Sequence, residues 1–185
     1  MLNEYKPAFN QGLRMGIVSI VLFVILYAID PMFYAKPAGW ITILGVNFLA
    51  LPILFMILGS RDCKANFSPY KFGNAFNAAF FTAIVSVVIV LVFNIVFVTL
   101  IDPSWEQELG DEVVTTTEEF MENLGAPQEQ IDETIAQVKI DMENTPKGAL
   151  GQAINAGKGL FWYVILALII GAIQKDKNTD ENLIA

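Results

Sequence analysis

Apolar positions in this chain come in four long runs rather than in alternation, and one long polar stretch separates the last two. The runs cover approximately Met15–Ile29, Trp40–Leu58, Asn74–Ile101 and Gly157–Ile173. A helix needs about 20 mostly apolar residues to cross a hydrocarbon core roughly 30 Å thick. Trp40–Leu58 meets that length, with Thr42 and Asn47 as its clear polar interruptions. Asn74–Ile101 exceeds it, so this helix should tilt or project beyond the bilayer. The first and last runs are shorter, and each is lengthened by a cation that can snorkel, Arg14 and Lys158. The pattern predicts an all-α fold, an integral membrane four-helix bundle. Residues 1–101 hold three crossings with short loops, 102–156 form the polar insert, and 157–185 hold the fourth crossing and a tail.

Within the insert the periodicity predicts two short amphipathic helices. Asp111 can cap a helix bearing Val113, Val114, Phe120, Met121 and Leu124, which Gly125 stops. Pro127 starts the next, where a missing N–H costs nothing. Its apolar stripe is Ile131, Ile135, Val138 and Met142, and Pro146 and Gly148 end it. Ser104–Gln107 fits a capping box, which adds a turn just after the third crossing. Helices this short are marginal alone. Phe120, Leu124, Ile131, Ile135, Val138 and Met142 are therefore the expected docking surface, against each other, against the helix ends or against a partner.

Charge gives the pattern a direction. The net charge is −8, but the insert holds thirteen acids and only Lys139 and Lys147, so it carries −11 and the rest about +3. Lys6, Arg14, Arg61, Lys64, Lys71, Lys175 and Lys177 fall on one side of a four-pass arrangement, against Lys36 in the short loop opposite. By the positive-inside rule both termini are expected in the cytoplasm, with the acidic insert outside. No basic stripe with interleaved aromatics exists, which argues against nucleic-acid binding. A single cysteine, Cys63, excludes an internal disulfide.

Candidate chemistry is sparse. With no histidine in the chain, the commonest general base and transition-metal ligand are missing. No phosphate loop, serine-nucleophile motif, metal-spaced cysteine set or calcium loop appears, so the expectation is a protein that is not an enzyme and takes no cofactor. Intramembrane polar residues are the better clue. Asn47 and Asn94 each lie seven residues from the outer end of their crossing, about 10 Å below the boundary at 1.5 Å per residue. Asn155 and Lys158, with Gln152, add a polar stripe at the outer end of the fourth crossing. These groups form either an interhelical clamp or a polar pocket open to the outer face. Helix-packing faces are expected at the Gly12–Gly16 step and at Ala75, Ala79 and Ala83, and Pro52 should kink the second crossing. Tyr5-Lys6 with Ala8-Phe9-Asn10, and Tyr70-Lys71 with Ala75-Phe76-Asn77, precede helices that both end in Ile-Asp-Pro. Interface anchoring and helix stopping explain this, or else a duplicated hairpin does.

Phe72-Gly73-Asn74-Ala75-Phe76 opens the third crossing and Asp102-Pro103 closes it. Met121 and Gly125 precede a Glu/Gln-rich helix, and an apolar last crossing ends in Lys175. In these features nearly the whole chain resembles an uncharacterised four-pass "domain of unknown function" membrane family of Bacteroidetes-type bacteria. The resemblance implies a bacterial inner-membrane protein with residues 102–156 periplasmic, and it implies no catalytic residues. It also suggests a polyprenyl-linked glycosyltransferase as a partner, beside membrane lipids and either a membrane-protein partner or further copies of the chain. Two functions are expected from all this. The first is a small interaction or assembly subunit that docks through the insert. The alternative is a small transporter, channel or lipid- or solute-binding protein.

Overall fold

The computed structural model describes residues 3–176, and every regular element among them is helical. In chain order these are α1 (Lys6–Ile29), a short 3-10 helix (Phe33–Ala35), α2 (Pro37–Asn66), α3 (Phe72–Ile101), α4 (Trp105–Asn123), α5 (Gln128–Asn144) and α6 (Gly148–Gln174). Four of them, α1, α2, α3 and α6, are long and apolar enough to cross a membrane. Lys177 and the rest of the expected tail lie outside the described residues.

The local chemistry of Pro52 shapes α2. A proline has no N–H, so the Phe48 carbonyl four residues earlier loses its α-helical donor. Immediately before it, Ile43–Ala50 is wound as a π-helix, in which the Leu51 N–H bonds the Val46 carbonyl. The Phe48 carbonyl accepts instead from the Trp162 indole N–H of α6 at 2.9 Å. The expected disturbance at Pro52 thus takes the form of a widened segment and a bond between helices. The last turn of α3, Phe97–Ile101, is also π-helical and ends where the Asp102 N–H bonds the Phe97 carbonyl at 2.9 Å.

Small residues hold the half of the bundle nearest the chain termini. Lipid tails are as apolar as leucine, so helices in a membrane gain from close backbone approach rather than from burial of oily surface. A Cβ on Gly12 would stand 2.5 Å from the Thr82 carbonyl oxygen of α3, and one on Gly16 would stand 3.2 Å from the Ile89 Cβ. Their matched order, 12 with 82 and 16 with 89, shows that α1 and α3 run parallel. Gly59 of α2 sits against the Thr82 hydroxyl, which is also within hydrogen-bonding distance of the Ala8 and Ala78 carbonyls. Ala75 is buried, and its carbonyl accepts from the Ser60 hydroxyl at 3.2 Å. Ala79 and Ala83 join Met56 of α2 with Leu166, Ala167 and Ile170 of α6 in one core. Helix α3 therefore packs on all three other long helices.

At the other end the insert differs from its sequence-based outline. Helix α6 starts at Gly148, nine residues before the apolar run at Gly157, so the last part of 102–156 belongs to α6. Gln152 and Asn155 hid this extension by breaking the apolar pattern. Asp111 caps nothing, because α4 already begins at Trp105. No capping box forms at Ser104–Gln107 either. The Asp102 carboxylate accepts from the Trp105 N–H at 3.1 Å and from the Ser104 hydroxyl at 2.9 Å. An ionised acceptor at a helix start is stronger than a hydroxyl. Gly125 stops α4 at φ +73°, a conformation that costs glycine nothing. Pro127 is the cap residue of α5 rather than its first helical residue.

Candidate functional site

The close packing of the terminal half does not continue to the end that carries α4 and α5. None of Ile43–Ala50 in α2 is buried, so this half of α2 stands apart from its neighbours. The space left between α1, α2, α3 and α6 is a chamber of about 410 Å³. Ser19, Ile20 and Phe23 line it from α1, Asn47 and Phe48 from α2, and Ser86, Val90 and Asn94 from α3. Gln152, Asn155 and Tyr163 of α6 close another side, while Tyr34, Trp105 and Leu109 stand at its top. No Asp, Glu, Lys or Arg is on this wall among the described residues.

A second cavity, of about 420 Å³, lies beneath the α4–α5 hairpin. Phe23, Asn94, Trp105, Leu109, Gln152 and Asn155 line both cavities, so the two adjoin. The upper one adds Glu106, Lys147, Met142 and Thr145, so its lining carries charged residues where that of the lower one does not.

Three asparagines expected to act together, Asn47, Asn94 and Asn155, thus reach one chamber from three helices. No hydrogen bond joins Asn47 to Asn94, so they form no direct clamp. The Asn47 side-chain oxygen is buried without a partner. Lys158 is exposed and is not on the chamber wall, because it lies on another face of α6.

Tyr34 carries no signal in the sequence. It is 8% exposed, and its hydroxyl is also buried without a partner. Burial pushes that hydroxyl up to about 12, so it stays protonated and able to donate and accept. An aromatic cluster fixes it: Phe23 stacks on Tyr34 at 5.5 Å and meets Phe97 and Trp105 edge-on at 5.0 and 5.5 Å. Trp105 in turn donates its indole N–H to the Pro31 carbonyl at 2.8 Å. The Tyr27 hydroxyl donates to Asp102 at 2.7 Å, which with Ser104 and the Trp105 N–H holds that carboxyl below its ordinary value.

Glu106 is the second residue that spacing could not reveal. Its two carboxylate oxygens accept from the Gly148 N–H and the Gln152 side chain, both at 2.8 Å. A carboxylate at the start of α6 suits the positive end of that helix. The hairpin is thereby tied to the chamber wall. The hairpin also consumes much of the expected docking surface. Ile131 is 2% exposed, Ile135, Val138 and Met142 are half-buried, and Met142 lies on Gly110 of α4. Only Phe120 and Leu124 stay outward, and the Phe120 ring meets Trp40 edge-on at 6.5 Å.

No metal-binding group of His, Cys, Asp and Glu occurs among the described residues. Comparison with curated proteins and with solved structures finds no match. A family model, described as a protein of unknown function (DUF4199), matches residues 10–176. These residues include all but the first turn of α1, the other three long helices, the hairpin and the chamber they line, and the chain belongs to that family.

Proposed function

We propose that this chain is a multi-pass membrane protein that binds an apolar molecule carrying an uncharged hydrogen-bonding group. In this reading the acidic α4–α5 hairpin lies outside the bilayer over the mouth of the chamber. The cationic terminal end faces the cytoplasm. The observation that carries the reading is that two residues lining one chamber, Asn47 and Tyr34, each hold a buried oxygen without a partner, which a small turn of the side chain would offer to a ligand. Leaving a buried polar atom unsatisfied costs about 1–3 kcal/mol, and a ligand hydroxyl or amide removes that cost. The chamber falls within the usual range for small-molecule sites, about 300–1,000 Å³. Its wall offers amides and hydroxyls but no charge, which favours a neutral polar group and binding rather than catalysis.

The interaction reading draws less support, because only Phe120 and Leu124 remain of its docking surface. The test is mild-detergent purification followed by native mass spectrometry and solvent extraction. A bound apolar molecule is expected in the wild type. It should be lost in Asn47→Leu with Asn94→Leu while the helical content stays unchanged. Recovery of the wild type with an empty chamber, or equal ligand retention by the double variant, would contradict the proposal.

A further inference from the structure

The terminal end of the bundle carries a separate polar groove of about 380 Å³, between the start of α1 and the end of α2. Lys6, Asn10 and Arg14 recur every four residues and so share one stripe of α1. Asp62 and Asn66 face them from α2. Neither Lys6 nor Arg14 forms an ion pair among the described residues. Asp62 has a single weak one, to exposed Arg61 at 3.4 Å.

Gln11 decides what this groove lacks. It is 6% exposed, and its Nε2 donates to Asp62 at 2.7 Å. An ionised carboxylate only accepts, so this bond fixes the orientation of the amide and turns Oε1 the other way. That oxygen is buried and has no donor. The groove therefore holds two cations without an ion pair, beside a carboxylate whose one cationic partner is the exposed Arg61 at 3.4 Å, and it adjoins the buried Gln11 oxygen that has no donor.

We propose that this groove binds the phosphoethanolamine headgroup of a membrane lipid. The phosphate accepts from Lys6 and Arg14, and the primary ammonium donates to Asp62 and to Gln11 Oε1. A choline group carries no N–H, so it leaves Gln11 unsatisfied. A glycerol headgroup supplies hydroxyl donors but places a net negative charge beside Asp62. Arg14 stands one residue before the apolar run of α1, where a snorkelling guanidinium reaches the level of lipid phosphates. The proposal rests on the four long helices crossing a membrane and not on what the chamber holds.

The test uses the full chain in nanodiscs of equal dioleoyl-phosphatidylethanolamine, -phosphatidylcholine and -phosphatidylglycerol, with retained lipid read by native mass spectrometry. Phosphatidylethanolamine should be retained over both others. Lys6→Gln with Arg14→Gln should lower that retention by about tenfold, the loss expected for a charge-assisted bond, and Arg14→Lys should retain most of it. Asp62→Asn still accepts from Gln11 but should abolish the preference over phosphatidylcholine. Circular dichroism establishes that each variant is folded, and retention of the chamber ligand should be unaltered in all of them. Equal retention of the three lipids by the wild type would overturn the proposal, as would unaltered preference in the folded variants. Soluble O-phosphoethanolamine displacing the lipid at matching concentration would show that the acyl chains add nothing, which also overturns a lipid as the occupant.

Discussion

Gly12 and Gly157 are both helical glycines, yet their surroundings oppose each other. A Cβ on Gly12 would press on the Thr82 carbonyl at 2.5 Å, whereas one on Gly157 would meet nothing within 4 Å. Gly12→Ala is expected to lower the stability of the detergent-solubilised protein by about 1–3 kcal/mol through overpacking. Gly157→Ala should raise it by up to about 1 kcal/mol through helix propensity. Thermal unfolding followed by circular dichroism reads both, and equal effects would contradict the packing described. The Gly12–Gly16 step was legible as spacing, since a four-residue interval puts two glycines on one face. Which carbonyl Gly12 approaches was not legible, because that depends on how α1 and α3 are set against each other. Tyr34 gave no signal at all: one loop tyrosine looks like any other until Phe23, Phe97 and Trp105 gather around it.

Pro52 was readable as a disturbance of an apolar helix, but its effect depends on another element. The Phe48 carbonyl that it leaves free is taken by Trp162, more than a hundred residues away. Trp162→Phe is expected to cost about 0.6–2 kcal/mol, the range for a hydrogen bond between membrane helices. In a Pro52→Ala background an N–H returns to serve Phe48, so the same change should cost less. A double-mutant cycle by thermal unfolding measures this coupling, and strict additivity would show that the two features are independent. The hairpin was legible in its turn, where Gly125 and Pro127 punctuate the chain. Its faces were only half legible. The stripe Ile131–Met142 announced an amphipathic helix, but periodicity cannot say whether the partner is α4 or another protein. The start of α6 is not legible, because Gln152 and Asn155 are polar and the apolar pattern breaks there.

On the scale of the molecule, three aspartates mark the ends of the long helices. The Lys36 ammonium beside Asp30 holds that carboxyl below its ordinary value, aided by the Met32 N–H. Tyr27 does so for Asp102, and Lys64 with the Tyr70 N–H does so for Asp176. A carboxyl whose native value lies below its unfolded value stabilises the fold above the unfolded value, near 3.9, and loses that contribution as pH falls through the native one. The unfolding temperature should therefore be level above about pH 5 and fall as the medium is acidified below about pH 4. Asp102→Asn should flatten part of that fall. A slope unchanged by the substitution would show that Asp102 contributes nothing to it.

The sequence by itself determined what depends on composition along one line. Four apolar runs, two of them lengthened by flanking residues, specify four helices able to cross a membrane, and a run of acids with a glycine and a proline specifies a helical turn between the last two. Tertiary structure decided what depends on distance across the fold. It opened the half of the bundle where α2 stands apart, brought Asn47, Asn94 and Asn155 to one wall, and tied the hairpin to α6 through Glu106. The physical reason is that hydrophobicity acts residue by residue and survives projection onto a sequence. Hydrogen bonds and cavities are directional and short-ranged, so they exist only once residues far apart in the chain stand a few ångströms from one another.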